Sequence, residues 1–169
     1  GPEAAGPQAG AAPAGRVEAV SAWSSVVELA DSVRRGERRA ADVLDEALAR
    51  IEAGDGELHA FVHLDEAQAR RAAQAVDAAV ARGDDPGPLA GVPLGVKDLH
   101  DCAGMPTSHG SLWFKGGPPA DADDVDVARL RAAGAVPVGK TSAPEFGIVS
   151  FASTKAWGVT RNPWDPART

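Results

Sequence analysis

Apolar residues recur at helical spacing through the first half of the chain and gather into short unbroken runs in the second. Trp23, Val26, Val27, Ala30 and Val33 fall on one stripe, with Gly36 as a stop signal. Val43, Leu44, Ala47, Leu48 and Ile51 form a second stripe that closes at Gly54, so two helices are expected to pair as an αα-hairpin. Ala60 to Leu64 reads as a short apolar strand. Asp65 then caps an alanine-rich helix with Ala69, Ala72, Ala73, Val76 and Val80 inward, ending at Gly83.

The turn-forming connector Asp84-Asp85-Pro86-Gly87-Pro88 leads into the stretch Leu89 to Asp101, which predicts an apolar strand entered through Gly91 and Pro93 and delivering Lys97. Beyond it, Gly104 to Gly110 is irregular and precedes the apolar pair Trp113-Phe114, a loop expected to border a pocket. Asp121, Asp123, Asp124 and Asp126 crowd the start of a helix that ends with Arg129, Arg131 and Gly134. These signs match the helix dipole, which favours that reading over a metal cluster. Ala135 to Gly139 is a second buried strand, so the order strand, helix, strand predicts a parallel right-handed crossover. From Thr141 onward the prolines and glycines predict loops along one edge of the sheet. The fold class expected is α/β, a mixed, largely parallel sheet covered by helices, with a helical N-terminal section. Residues 1–19, rich in Ala, Gly and Pro, are expected to be a disordered tail.

Composition narrows the partners. At 169 residues with a net charge of −7, the chain is large enough for a real core and too acidic for general affinity to nucleic acid or anionic membrane. A single cysteine, Cys102, excludes an internal disulfide framework. With neither a spanning apolar run nor a leader pattern in view, a cytoplasmic protein acting on a small molecule or another protein is expected.

Lys97 is the candidate centre of chemistry. An amine at the end of an apolar strand either reaches water, as most lysines do, or is held neutral as a proton acceptor. Bringing it from about 10.4 to near neutrality costs roughly 4 to 5 kcal/mol, within what burial can supply. Three other motifs lead elsewhere. Gly134 to Thr141 satisfies the phosphate-loop pattern of nucleotide hydrolases, but its apolar residues and Pro137 look like a strand, not a cradle of exposed N–H groups. His59 and His63 have the spacing of a helical zinc pair, yet flank a strand, where such residues lie about 13 Å apart. Cys102, beside His100 and Asp101, could suggest a thiol nucleophile, although neighbours in a loop seldom take up the needed geometry.

Several ordered blocks together carry a resemblance. Gly-Val-Pro-Leu-Gly-Val-Lys-Asp at 91–98, Gly110-Ser111, the run from Ala133 to Ser142 with Glu145-Phe146, and Gly158 to Asp165 resemble the amidase signature family over roughly residues 20–169. The resemblance implies an amide hydrolase with Lys97 as catalytic lysine, a bridging serine and a nucleophilic serine, and neither metal nor organic cofactor. It implies that Phe146, Gly147 and Ile148 border the acyl pocket, with ordinary loop packing as the alternative. In the family both serines and the oxyanion-hole glycines follow the Asn162-Pro163-Trp164-Asp165 block, and Ser142, Ser150 and Ser153 do not match their positions. Residues 20–169 are therefore expected to be the N-terminal part of one amidase domain. Its expected partners are a C-terminal portion bearing both serines, a small-molecule amide and further copies of the completed enzyme. The chain alone is expected to be inactive. The alternatives are a non-catalytic binding or structural subunit, or the glutaminase subunit of an amidotransferase. Thr141 to Phe146 looks more like stand-alone amidases than like that glutaminase subunit.

Overall fold

A computed structural model describes residues 25–169; the expected tail and Trp23 lie outside the described residues. Helix α1 spans Val26–Arg34, opened by Ser25 and Glu28 in a reciprocal capping box. Helix α2 spans Ala40–Leu58. It runs past the expected stop, since Gly54 and Gly56 keep helical backbone, and closes where His59 turns left-handed at φ 52°. The Asp55 carboxylate accepts from the Ala60 and Phe61 N–H groups at 2.7 and 3.1 Å, which turns the chain into strand β1, Phe61–Leu64. His59 is thus a helix cap and His63 a strand residue, so the histidine pair is not a helical one.

Asp65 accepts from Gln68 N–H and starts helix α3, Glu66–Arg82, which ends at Gly83 with φ 77° as its pattern requires. The first two helices do not form a hairpin of their own. Both pack on α3, because the α2 N-terminus, preceded by the poor cap Arg39, is capped from a distance. Asp77 of α3 accepts from the Ala40 and Ala41 N–H groups at 2.6 and 3.2 Å.

Strand β2 is Pro93–Lys97, helix α4 is Val125–Ala132 and strand β3 is Val136–Thr141. The sheet order is β1-β3-β2, antiparallel on one side of β3 and parallel on the other. The fold is therefore α/β with a mixed sheet, and β2, α4 and β3 form the parallel crossover unit. Side chains alternate across the sheet and divide the core in two. Val33, Leu44, Ala73, Val76, Val136 and Val138 fill the face under α1, α2 and α3, while Val96, Cys102, Met105 and Val127 fill the face under α4. Each fully buried Leu or Val here contributes about 1.5–3 kcal/mol. The Gly134–Thr141 motif is strand β3 itself, buried except for its last residue, which removes the phosphate-cradle reading. After β3 come a 3-10 turn at Glu145–Gly147 and a small hairpin of β4, Ser153–Thr154, with β5, Gly158–Val159, where loops alone were expected. Among the described residues no helix is long and apolar enough to cross a membrane.

Gly139 marks the tightest approach in the sheet. A Cβ there would overlap the His63 carbonyl oxygen and sit 3.1 Å from Leu64 Cα. Gly139→Ala is expected to lower stability by about 2 kcal/mol or more by forcing β1 off β3. Gly56→Ala, which meets nothing within 4 Å in an exposed helical turn, should instead raise it by about 0.5–1 kcal/mol. Urea midpoints followed by circular dichroism check both.

Candidate active site

The parallel strands β2 and β3 end side by side, Lys97 opposite Thr141, and the loops that follow them build the candidate site. This is the end at which parallel α/β sheets bind ligands. Asp98 N–H donates to Thr141 O at 2.9 Å, so the strand pairing continues one residue past Lys97. The loops close on each other. Phe146 N–H donates to His109 O at 2.8 Å, Gly110 passes so near Ala143 that a Cβ would lie 2.5 Å from its oxygen, and a Cβ on Gly147 would lie 3.0 Å from Leu99 Cδ1. Of the residues singled out as a pocket, Phe146, Gly147 and Ile148, Gly147 is thereby brought against Leu99 in the turn that follows Lys97 and Phe146 against His109.

Phe146 has φ 51° and its hydrogen-bonding partner His109 has φ 53°, left-handed conformations that ordinary side chains rarely adopt. Held this way, the rings of His109, Phe114 and Phe146 meet with centroids 5.6 to 6.2 Å apart. Phe146 and Ile148 remain open, 55% and 79% exposed. Lys97 is exposed as well, so within this chain its amine reaches water, the first of the two alternatives. The strand does run through a dry core, but Lys97 is its last residue and shares a face with the thinly covered Pro93 and Gly95, while Val96 takes the buried side. A groove of about 440 Å³ lies on the other face of the sheet, lined by Leu29, Ile51, Phe61, Pro93, Gly95 and others.

The lysine that is buried is Lys140, 0% exposed, with its Nζ 3.6 Å from an oxygen of Asp98, itself 1% exposed. Lys140 also donates to Thr107 Oγ1 at 2.6 Å and Pro106 O at 3.4 Å. Burial pushes its ammonium below the ordinary lysine range, against the upward pull of Asp98. Asp98 accepts from Ser108 N–H at 2.9 Å, from the Ser108 hydroxyl and from Gly110 N–H at 3.4 Å, and Ser108 Oγ accepts from Trp157 Nε1 at 2.7 Å. Lys115 steadies that indole, its Nζ 4.1 Å from the ring centroid and donating to Ala156 O at 2.7 Å. Sequence reasoning set Lys140 aside with the phosphate-loop motif. The signal it held was a charged residue inside a run of apolar strand.

The remaining candidates resolve differently. Cys102 is fully buried, and burial raises its thiol above the ordinary range, so it is held protonated and is no nucleophile at neutral pH. Arg131 Nη2 donates to its sulfur at 3.3 Å and pairs through both nitrogens with Asp123 at 2.8 and 3.0 Å. His100, Asp124 and Asp126 come within 4.8 Å of one another at the exposed start of α4, where His100 Nδ1 faces Asp126 at 3.1 Å.

Comparison with known proteins agrees with this architecture. An amidase family model matches residues 42–169. A glutamyl-tRNA(Gln) amidotransferase subunit from Salinispora arenicola is 49% identical over 144 residues, covering 85% of this chain and 29% of that protein. A protein of a vestigial complex bearing on the origins of an s-triazine catabolic enzyme superposes with a TM-score of 0.82 at 42% identity, over 86% of this chain and 32% of its own. The native peptide amidase of Stenotrophomonas maltophilia superposes with a TM-score of 0.78 at 35% identity, over 88% of this chain and 31% of its own. The chain thus spans under a third of the length of the relatives it matches. Amidotransferase subunits are among the relatives, whereas the expectation from Thr141 to Phe146 was of stand-alone amidases.

The Asp123–Arg131 pair permits a test of the site's frame. Arg131's hydrogen bonds hold the Asp123 carboxyl below the usual carboxylate range, so its stabilisation is full above about pH 4 and is lost as the pH falls through the depressed folded value. Asp123→Asn is expected to cost about 1–2 kcal/mol at pH 7 and progressively less as the pH falls below about 4. Thermal melts of both proteins across that range check the convergence.

Proposed function

The chain belongs to the amidase signature family, and from that membership we propose that it is the N-terminal part of an amidase cleaving the C–N bond of a carboxylic amide to acid plus ammonia or amine. The observation that carries the reading is the junction of β2 and β3. The Gly91–Asp98 and Ala133–Phe146 blocks, far apart in sequence, fold as neighbouring parallel strands whose loops meet around Lys97.

In the proposed reaction Lys97, covered and dried by a C-terminal portion, acts as general base. It takes a proton through a bridging serine of that portion, which sharpens a second serine hydroxyl for attack on the amide carbonyl. Backbone N–H groups of the same portion hold the resulting oxyanion. Lys97 later returns the proton to the departing amine, and water releases the acid. Phe146, Gly147 and Ile148 border the acyl group. A second reading, the glutaminase subunit of an amidotransferase, is favoured by the 49% identity to the Salinispora arenicola protein.

In the protein assembled with its C-terminal portion, Lys97→Ala is expected to lower kcat/KM for a simple amide by about 10²–10⁴-fold, the usual weight of a general base. The protein should remain folded, because Lys97 is the last residue of its strand and caps no helix. Retention of most of the activity would remove Lys97 from the mechanism. Ammonia release from glutamine, compared with release from small aliphatic and aromatic amides, decides between the two hydrolytic readings. No turnover of any of them would leave a non-catalytic binding subunit.

A further inference from the structure

Lys140 is a fully buried cation that the proposed reaction does not use. Removing a charge from water costs several kcal/mol, so its presence under the site calls for a role. Its counter-ion, Asp98, directly follows Lys97, and the hydrogen bonds around the pair join four separate segments: the end of β2, the loop Pro106–Gly110, strand β3 and the turn at Ala156–Trp157.

We propose that Asp98 and Lys140 act as a neutralised positioning pair for Lys97, fixing the end of its strand while keeping an uncompensated negative charge away from its amine. The inference rests on the amide-hydrolase reading of Lys97. Asp98 serves as an anchor, since its carboxyl oxygens gather Ser108 and Gly110 beneath the loop that carries His109. A bare carboxylate on the residue next to Lys97, one strand step of about 3.3 Å along the backbone, would favour the ammonium and blunt the base. Lys140 cancels that field from inside the sheet. The other titratable groups nearby are His100, whose N–H donates to Lys97 O at 3.0 Å, and His109 on the loop after β2, Asp101 and Cys102 on the same loop, which act on Lys140, and Glu46, Arg50 and Asp55 of α2, which line the groove beside Gly95. All seven are unchanged in the variants below, and Lys97 itself makes no ion pair among the described residues.

The test is the pH dependence of kcat/KM in the assembled protein. Lys140→Gln removes the charge but keeps an amide able to reach Thr107 and Pro106, and Lys140→Met is the apolar counterpart. Ser108 and Gly110 still donate to Asp98 in both. The acid limb is expected to move up by about one pH unit. The double variant Asp98→Asn/Lys140→Gln, which removes both charges together, should bring the limb back to its wild-type position. A purely structural role would lower kcat without displacing the limb. A folded Lys140→Gln protein with the wild-type limb, or a double variant still displaced, would overturn the proposal. The titration of ¹³C-labelled Lys97 followed by NMR reads the same displacement whether or not an amide is hydrolysed. Activity surviving Lys97→Ala removes Lys97 from the mechanism, whereas an unmoved Lys97 titration sinks the positioning pair and leaves the role of Lys97 as base standing.

Discussion

Two opposite charges with no access to water, Asp98 and Lys140, sit where the two parallel strands end. Such a pair is stable only when its remaining donors and acceptors are satisfied, because the loss of hydration costs several kcal/mol per ion. Here Ser108, Gly110, Thr107 and Pro106 supply the partners. All four come from the loop after β2, so the loop cannot drift without stranding a charge in the interior. That requirement fixes His109 and Gly110, and His109 in turn holds Phe146 in its left-handed conformation. The polar pair under the sheet and the aromatic cluster above it form one construction.

Periodicity was enough to locate most of the architecture. The alanine-rich helix α3, the dipole-matched α4 and both strands of the crossover fall where spacing and capping residues put them. The sequence was less informative wherever a distant partner made the decision. Gly54 looked like a stop, but the Asp55 carboxylate and the left-handed His59 closed α2 four residues later. The supposed hairpin of α1 and α2 yielded to α3, on which both pack. The two lysines show the same limit. Lys97 and Lys140 each follow an apolar strand segment, and only register decides which faces the interior. The shift between Leu94 and Gly95 in the β2–β3 pairing, together with the reach of Asp98, cannot be read from spacing.

Exposure around the site fits the proposed division of the enzyme. Leu112, Trp113, Ile148, Phe151 and Trp164 are all at least half exposed, more large apolar surface than a chain of this size ordinarily leaves in water. Among the described residues strand β2 has β3 on one side and no sheet partner on the other, which leaves a sheet edge beside Lys97. A C-terminal portion that covered both would dry the amine at the same stroke. The proximity of amidotransferase subunits and stand-alone amidases in the comparisons reflects a shared frame. What distinguishes their substrates has to be sought in the loops and in the remaining two-thirds of such proteins.

The carboxylate of Asp77, borrowed by α2 from the middle of α3, has a consequence for how the molecule is assembled. A helix without its own initiator is slow to nucleate, because the first turn fixes several residues for a single backbone bond. Since Ala40 and Ala41 find their acceptor only on α3, the second helix gains its full stability when the third is already in place. The helical layer is thus built to consolidate as one cooperative step, and to loosen as one.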